Sequence, residues 1–224
     1  MSSKPFPKWA PQVIILGAVW GLTEAALGLG LERCASLASG SIMTGAALFF
    51  ISAVWAVSQS AAGVALAVAL VSAIKLFDAL LLSLPLRGGA VANPIFAFWT
   101  EGMAFLVVFA ILQASLSDKK SGRAAGGALA GLAAVNLFPL VKFATGIPAC
   151  VFPGTQVPLA LYYLPVAVVL SSVTVPLGLW AGAGMVRAAE RAAALGPLPA
   201  ARRLASPAAL VLALLLITFI RFIG

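Results

Sequence analysis

The 224-residue chain is 62% hydrophobic and 9% charged, with a mean hydropathy of +1.11 and a formal net charge of +8. Soluble domains run roughly 45–50% apolar, so this composition excludes one. The lack of any histidine excludes Ser/His proteolysis, HExxH zinc sites and haem held by His.

Apolar runs of about 20 residues, each long enough for ~30 Å of hydrocarbon, recur from end to end. They predict an all-α, polytopic membrane helical bundle with six or seven transmembrane helices, a single integral membrane domain over residues 1–224. Lys4 and Lys8 precede the first run, 12–31, as in a signal peptide. The run continues through Thr23 and Glu24 without an early cleavage pattern, so it is read as a retained helix. It carries Trp20 and a row of small residues at four-residue intervals, Gly17, Gly21 and Ala25. Such a face lets another helix approach closely, within the chain or from a partner. The second run, 41–58, is short and uncharged. The third, 62–84, holds Lys75 and Asp78 on one helix face and stops at Pro85 and Gly88-Gly89. The fourth, 93–115, begins at Asn93-Pro94 and carries Trp99, Thr100 and Glu101. The fifth, 125–145, has Gly127 and Gly131, then Lys142, and breaks at Gly146 and Pro148. The sixth, 159–185, has Gly178 and Gly182 and continues as a helix past the bilayer. The seventh, 208–223, is short and carries Arg221 near its end; it either crosses or lies along the surface.

Charge sets the orientation. With the N-terminus cytoplasmic, the inner segments hold Lys4, Lys8, Lys119, Lys120, Arg123, Arg187, Arg191, Arg202 and Arg203. The outer ones hold Arg33, Arg87 and Arg221. This bias follows the positive-inside pattern. The same logic accounts for the pI near 10.2: basic loops meet anionic lipid, and no nucleic acid is implied.

Glu24, Lys75, Asp78, Glu101 and Lys142 fall inside the spans. A charge in hydrocarbon is costly and faces a polar cavity or another charge. By depth all five lie in the outer half, which predicts one polar substrate site. Thr23, Asn93 and Thr100 supply neutral hydrogen bonds to it. Trp20 and Trp99 are placed to stack on a ring or cation, the alternative being core or lipid packing. Two alternatives remain for the charges: a water-accessible pocket with an acid left for a ligand, or a closed network that locks the bundle. Trp20–Glu24 and Phe98–Gly102 each hold an aromatic residue ahead of Thr-Glu, on helices of opposite direction, as in an inverted repeat.

No enzyme is expected. The sequence has no GxGD motif, no acidic phosphotransferase cluster and no Walker A motif, so ATP use would belong to a partner. No cofactor and no metal site are expected, because Cys34 and Cys150 fit no metal-binding spacing. Both cysteines fall outside by this topology, where an oxidising compartment would allow a disulfide.

The stretches GAVWGLTEAALG, SAIKLFDALLLSLP and NPIFAFWTEGMAFLVVF resemble a family of small prokaryotic membrane proteins. Its members carry a Trp-Gly-x-x-Glu helix, a Lys-x-x-Asp helix and an Asn-Pro…Glu-Gly helix. The resemblance covers about the first half to two-thirds of the chain and implies no particular activity. In size and hydropathy the chain is also similar to the substrate-binding S components of energy-coupling-factor transporters. That likeness implies an outward pocket, a separate ATPase module, other membrane subunits, and a partner-helix face at Gly17, Gly21 and Ala25. The expectation is a transport protein of a prokaryotic cytoplasmic membrane, N-terminus inside, capturing a small organic solute or cation. The rival is a scaffold subunit with internally paired charges.

Overall fold

The computed structural model describes residues 7–31, 37–116, 120–146, 149–152, 154–194 and 199–223. They form an all-α bundle of α1 (Ala10–Leu31), α2 (Leu37–Ser58), α3 (Ala61–Leu81), α4 (Gly89–Leu116), α5 (Lys120–Leu137), α6 (Val141–Thr145), α7 (Leu159–Ala194) and α8 (Pro199–Ile223). Among these residues seven helical segments are long and apolar enough to cross a membrane, as in a multi-pass membrane protein.

Several spans differ in detail from the sequence reading. The fifth is not one helix: a 3₁₀ turn, Phe138–Leu140, joins α5 to α6. Pro139 lies in that turn and has no N–H to continue the α-helical ladder. Gly146 closes α6 in the left-handed region, at φ 75°, which favours glycine. The fourth helix starts four residues before Asn93, so Pro94 lies within α4 and leaves the carbonyl of Ala90 without its i+4 donor. The sixth span is the 36-residue α7, about 54 Å long at helical rise, so it outruns the hydrocarbon. The turn into α3 is tight: Ser60 caps the helix by accepting from the Ala62 N–H.

α7 packs most extensively on α2 and then on α5. Both contacts are made by small residues. A Cβ at Gly178 or Gly182 would meet the carbonyl oxygens of Phe49 and Ala53 on α2, and one at Gly127 would meet that of Ser171 on α7. These rows therefore bring backbones together within the chain. The partner-helix face expected on α1 has the same fate. A Cβ at Gly17 would lie 2.8 Å from Leu70 Cδ2, and one at Gly21 would lie 2.5 Å from Ile74 Cδ1. Ala25 is buried with Ile74 and Ile217. The row Gly17, Gly21 and Ala25 is filled by α3 and α8 and is not open to another subunit.

The main core joins α1, α2, α3 and α4 around Trp20, Leu48, Ile51, Phe98 and Phe105. Phe105 stacks on Phe109 with ring centroids 4.2 Å apart. Two buried hydroxyls are satisfied by their own helix: Ser171 donates to the Ala167 carbonyl and Ser72 to that of Val68. On the far side α8 packs against α1 and α3. It buries Ala213 and Ile217 while Leu212, Leu215, Phe219 and Phe222 stay exposed, as a peripheral span facing lipid does.

Candidate functional site

A half-open cavity of about 440 Å³ lies at one end of the bundle. Its lining comes from the late part of α1, the early parts of α2, α4 and α7, and the end of α5. All these segments meet at the end formed by the α1–α2, α3–α4 and α6–α7 connections. Lys8, Lys120, Arg123, Arg187 and Arg191 belong to the opposite end.

Glu24 enters from α1 and Glu101 from α4, each only 5% exposed. Trp20 lies one turn before Glu24 and is fully buried. It stacks on Phe50 (6.1 Å, 9°) and meets the edge of Phe98 (5.4 Å, 67°). Held so, its indole Nε1 donates to Glu24 Oε1 at 3.3 Å. The Thr44 hydroxyl of α2 faces Glu101, and the two carboxyls lie within electrostatic reach of each other. Among the described residues neither Glu24 nor Glu101 forms an ion pair. Asn93 and Thr100 line the same wall. Thr100 donates to the Ala97 carbonyl at 3.0 Å, and Asn93 Oδ1 is buried with no donor among the described residues. Tyr163 of α7 closes the opposite side, its ring resting where a Cβ on Gly40 would be.

The single layer of five charges divides in two. Lys75 and Asp78 do not line the cavity. They lie in a closed seam between α1 and α3, whose remaining lining includes Gly21, Ala25 and the back of Glu24. Arg221 of α8 completes this seam. Its Nε is 2.7 Å from Asp78 Oδ1, and its terminal nitrogen donates to Oδ2 at 2.9 Å. Lys75 Nζ is 3.5 Å from the same Oδ2. Glu24 is the hinge between the two groups, since Lys75 is the cation it feels. Lys142 is exposed on α6, away from the cavity lining. Trp99 is 42% exposed and points outward from α4. Thr23 donates to the Val19 carbonyl of its own helix at 2.8 Å and lies outside the lining, as does Trp20, which supports Glu24 from behind. The physical reason is common to all: equal depth along a helix does not fix which side a residue faces.

Sequence reasoning followed charge: it missed Thr44 and Tyr163, on the uncharged second and sixth spans, and the uncharged ring of Phe138 on the fifth. Arg221 was placed at an outer helix end; its burial against Asp78 depends on α8 packing beside α3. Cys150 lines the cavity and is disulfide-bonded. Cys34, considered as its partner, lies outside the described residues.

Replacing Trp20 by Phe keeps an aromatic ring but removes the donor to Glu24 and some volume. Thermal unfolding should register a loss of about 1–2 kcal/mol, and a change within experimental error would show that the 3.3 Å contact contributes little.

The chain matches no family model, no curated protein and no solved structure.

Proposed function

We propose that this chain is a membrane transport protein, a substrate-capture subunit of an importer in a prokaryotic cytoplasmic membrane. It takes a small organic solute or cation into the cavity at the α1–α2, α3–α4 and α6–α7 end. The observation that carries this reading is the coincidence of a ligand-sized cavity with two buried carboxyls that form no ion pair among the described residues. Ligand pockets typically span 300–1,000 Å³ and are mostly apolar with a few placed polar groups. Intramembrane acids facing such a space mark substrate or ion paths. The basic residues of the other end face the cytoplasm under the positive-inside pattern, so the cavity opens outward. Energy comes from a gradient or from a separate ATPase module, since the sequence has no Walker A motif.

Cysteine accessibility tests the cavity directly. Ala97 lines it, whereas Ala104, two turns deeper on α4, is buried in the core. A membrane-impermeant thiol reagent added outside whole cells should modify Ala97→Cys and leave Ala104→Cys untouched. Modification of Ala97→Cys only from the cytoplasmic face would invert the topology. Protection from both faces would remove the capture reading.

A second reading, a scaffold subunit, draws on the Lys75–Asp78–Arg221 network, which pairs charges internally and ties α8 to α3. It leaves Glu24 and Glu101 without a purpose, and for that reason ranks second.

A further inference from the structure

The cavity lining sets several acceptors beside the hydroxyls of Ser39 and Tyr163 and the amide of Asn93. Glu24 and Glu101 present carboxyl oxygens. Thr100 commits its proton to the Ala97 carbonyl, so its hydroxyl offers a ligand only lone pairs, and the Thr44 hydroxyl faces Glu101. Among the described residues Asn93 Oδ1 is buried and accepts nothing, although leaving a buried acceptor unpaired is costly. The Ala90 carbonyl, also on the wall, lacks its i+4 donor because residue 94 is proline. A ligand that completes this site brings N–H or O–H donors.

The charge count points the same way. The buried acids among the described residues are Glu24, Asp78 and Glu101. The cations beside them are Lys75 and Arg221, both engaged by Asp78. With all of them ionised, the cluster carries one surplus negative charge, and it sits on the cavity side. The walls between the acceptors are rings, Phe98, Phe138 and Tyr163. A bare metal ion fits poorly, since no group of three acidic, Cys or His side chains converges among the described residues.

We infer that the captured solute is an organic monocation: a flat ring bearing a protonated amine or amidine, whose N–H groups meet Glu101, Glu24 and Asn93 while the ring lies against Phe98, Phe138 and Tyr163. This deepens the capture reading and rests on it.

The test uses the purified full chain in detergent, with isosteric probes of three charges. Benzylamine and benzamidine are cations, benzyl alcohol and benzamide are neutral, and benzoate is an anion. The cations should raise Tm by several degrees at millimolar concentration and bind about tenfold or more tighter than their neutral counterparts. In Glu101→Gln that preference should vanish, because the amide keeps the shape and loses the charge. Equal or stronger effects of the neutral or anionic probes would overturn the monocation while leaving capture intact. So would a cavity that labels at Ala97→Cys yet shows no Tm shift with either cation. Failure of the labelling itself would strike the capture reading instead, so the two failures are separable. A cation effect that persists in Glu101→Gln would place the binding elsewhere and overturn the assignment.

Discussion

Replacing Asp78 by asparagine should destabilise the fold by about 3–5 kcal/mol, the usual cost of removing one partner from a buried pair. Asp78 is 1% exposed and receives Arg221 through two nitrogens, at 2.7 and 2.9 Å, with Lys75 at 3.5 Å. The amide would leave both cations in apolar surroundings with no carboxylate between them. Arg221→Gln should cost less, about 2–3 kcal/mol, because Lys75 remains to neutralise Asp78. Replacing both partners by apolar residues, Asp78→Leu with Arg221→Met, should recover most of the loss, since well-packed apolar groups are often as stable as a buried ion pair. Unfolding in detergent reads all three. If the double variant is as weak as the sum of Asp78→Leu and Arg221→Met measured singly, the two residues are not coupled, and the apolar contacts of Leu210, Ala213, Leu214 and Ile217 hold α8.

This network also shows where the sequence was legible and where it was not. Hydropathy located all seven of the long apolar helices, because only the length and apolarity of a segment matter for crossing a bilayer. Charge in hydrocarbon located Glu24 and Glu101, and their neutral polar neighbours along the chain located Asn93 and Thr100; these line the cavity. The assignment went astray for Lys75, Asp78, Lys142 and Trp99. Position along a span gives height in the membrane, but the side it faces comes from an amphipathic stripe, and these helices are apolar on nearly every face. Gly17 and Gly21 illustrate the same limit. A small-residue row says that something approaches closely, and only the packing of Leu70 and Ile74 says that it is α3. Arg221 and Asp78 are 143 residues apart, and no local signal joins them. Thr44 and Tyr163 carry no charge and looked like ordinary members of apolar helices.

Glu101→Gln and Glu24→Gln should behave unlike Asp78→Asn, and that difference separates capture from scaffold. Both glutamates are as buried as a core residue, yet neither is ion-paired among the described residues. Each lies within the other's field. Neutralising either one removes a desolvated charge and a like-charge repulsion. A glutamine Oε1 at position 24 can still accept from Trp20, and at position 101 the amide still faces the Thr44 hydroxyl. Stability should therefore stay within about 1 kcal/mol of the parent or rise, the pattern of a site that trades stability for function. Cation binding and uptake in whole cells should fall about a hundredfold in Glu101→Gln, in line with the 2–5 kcal/mol lost when one partner of a buried charged contact is truncated. The loss in Glu24→Gln should be smaller, because Lys75 already offsets part of that charge. The scaffold reading requires the reverse: several kcal/mol of destabilisation in both variants, with solute uptake indifferent to the gene. Thermal unfolding beside an uptake assay reads both quantities, and strong destabilisation without any transport defect would transfer the two glutamates to the structural network that Asp78 and Arg221 already form.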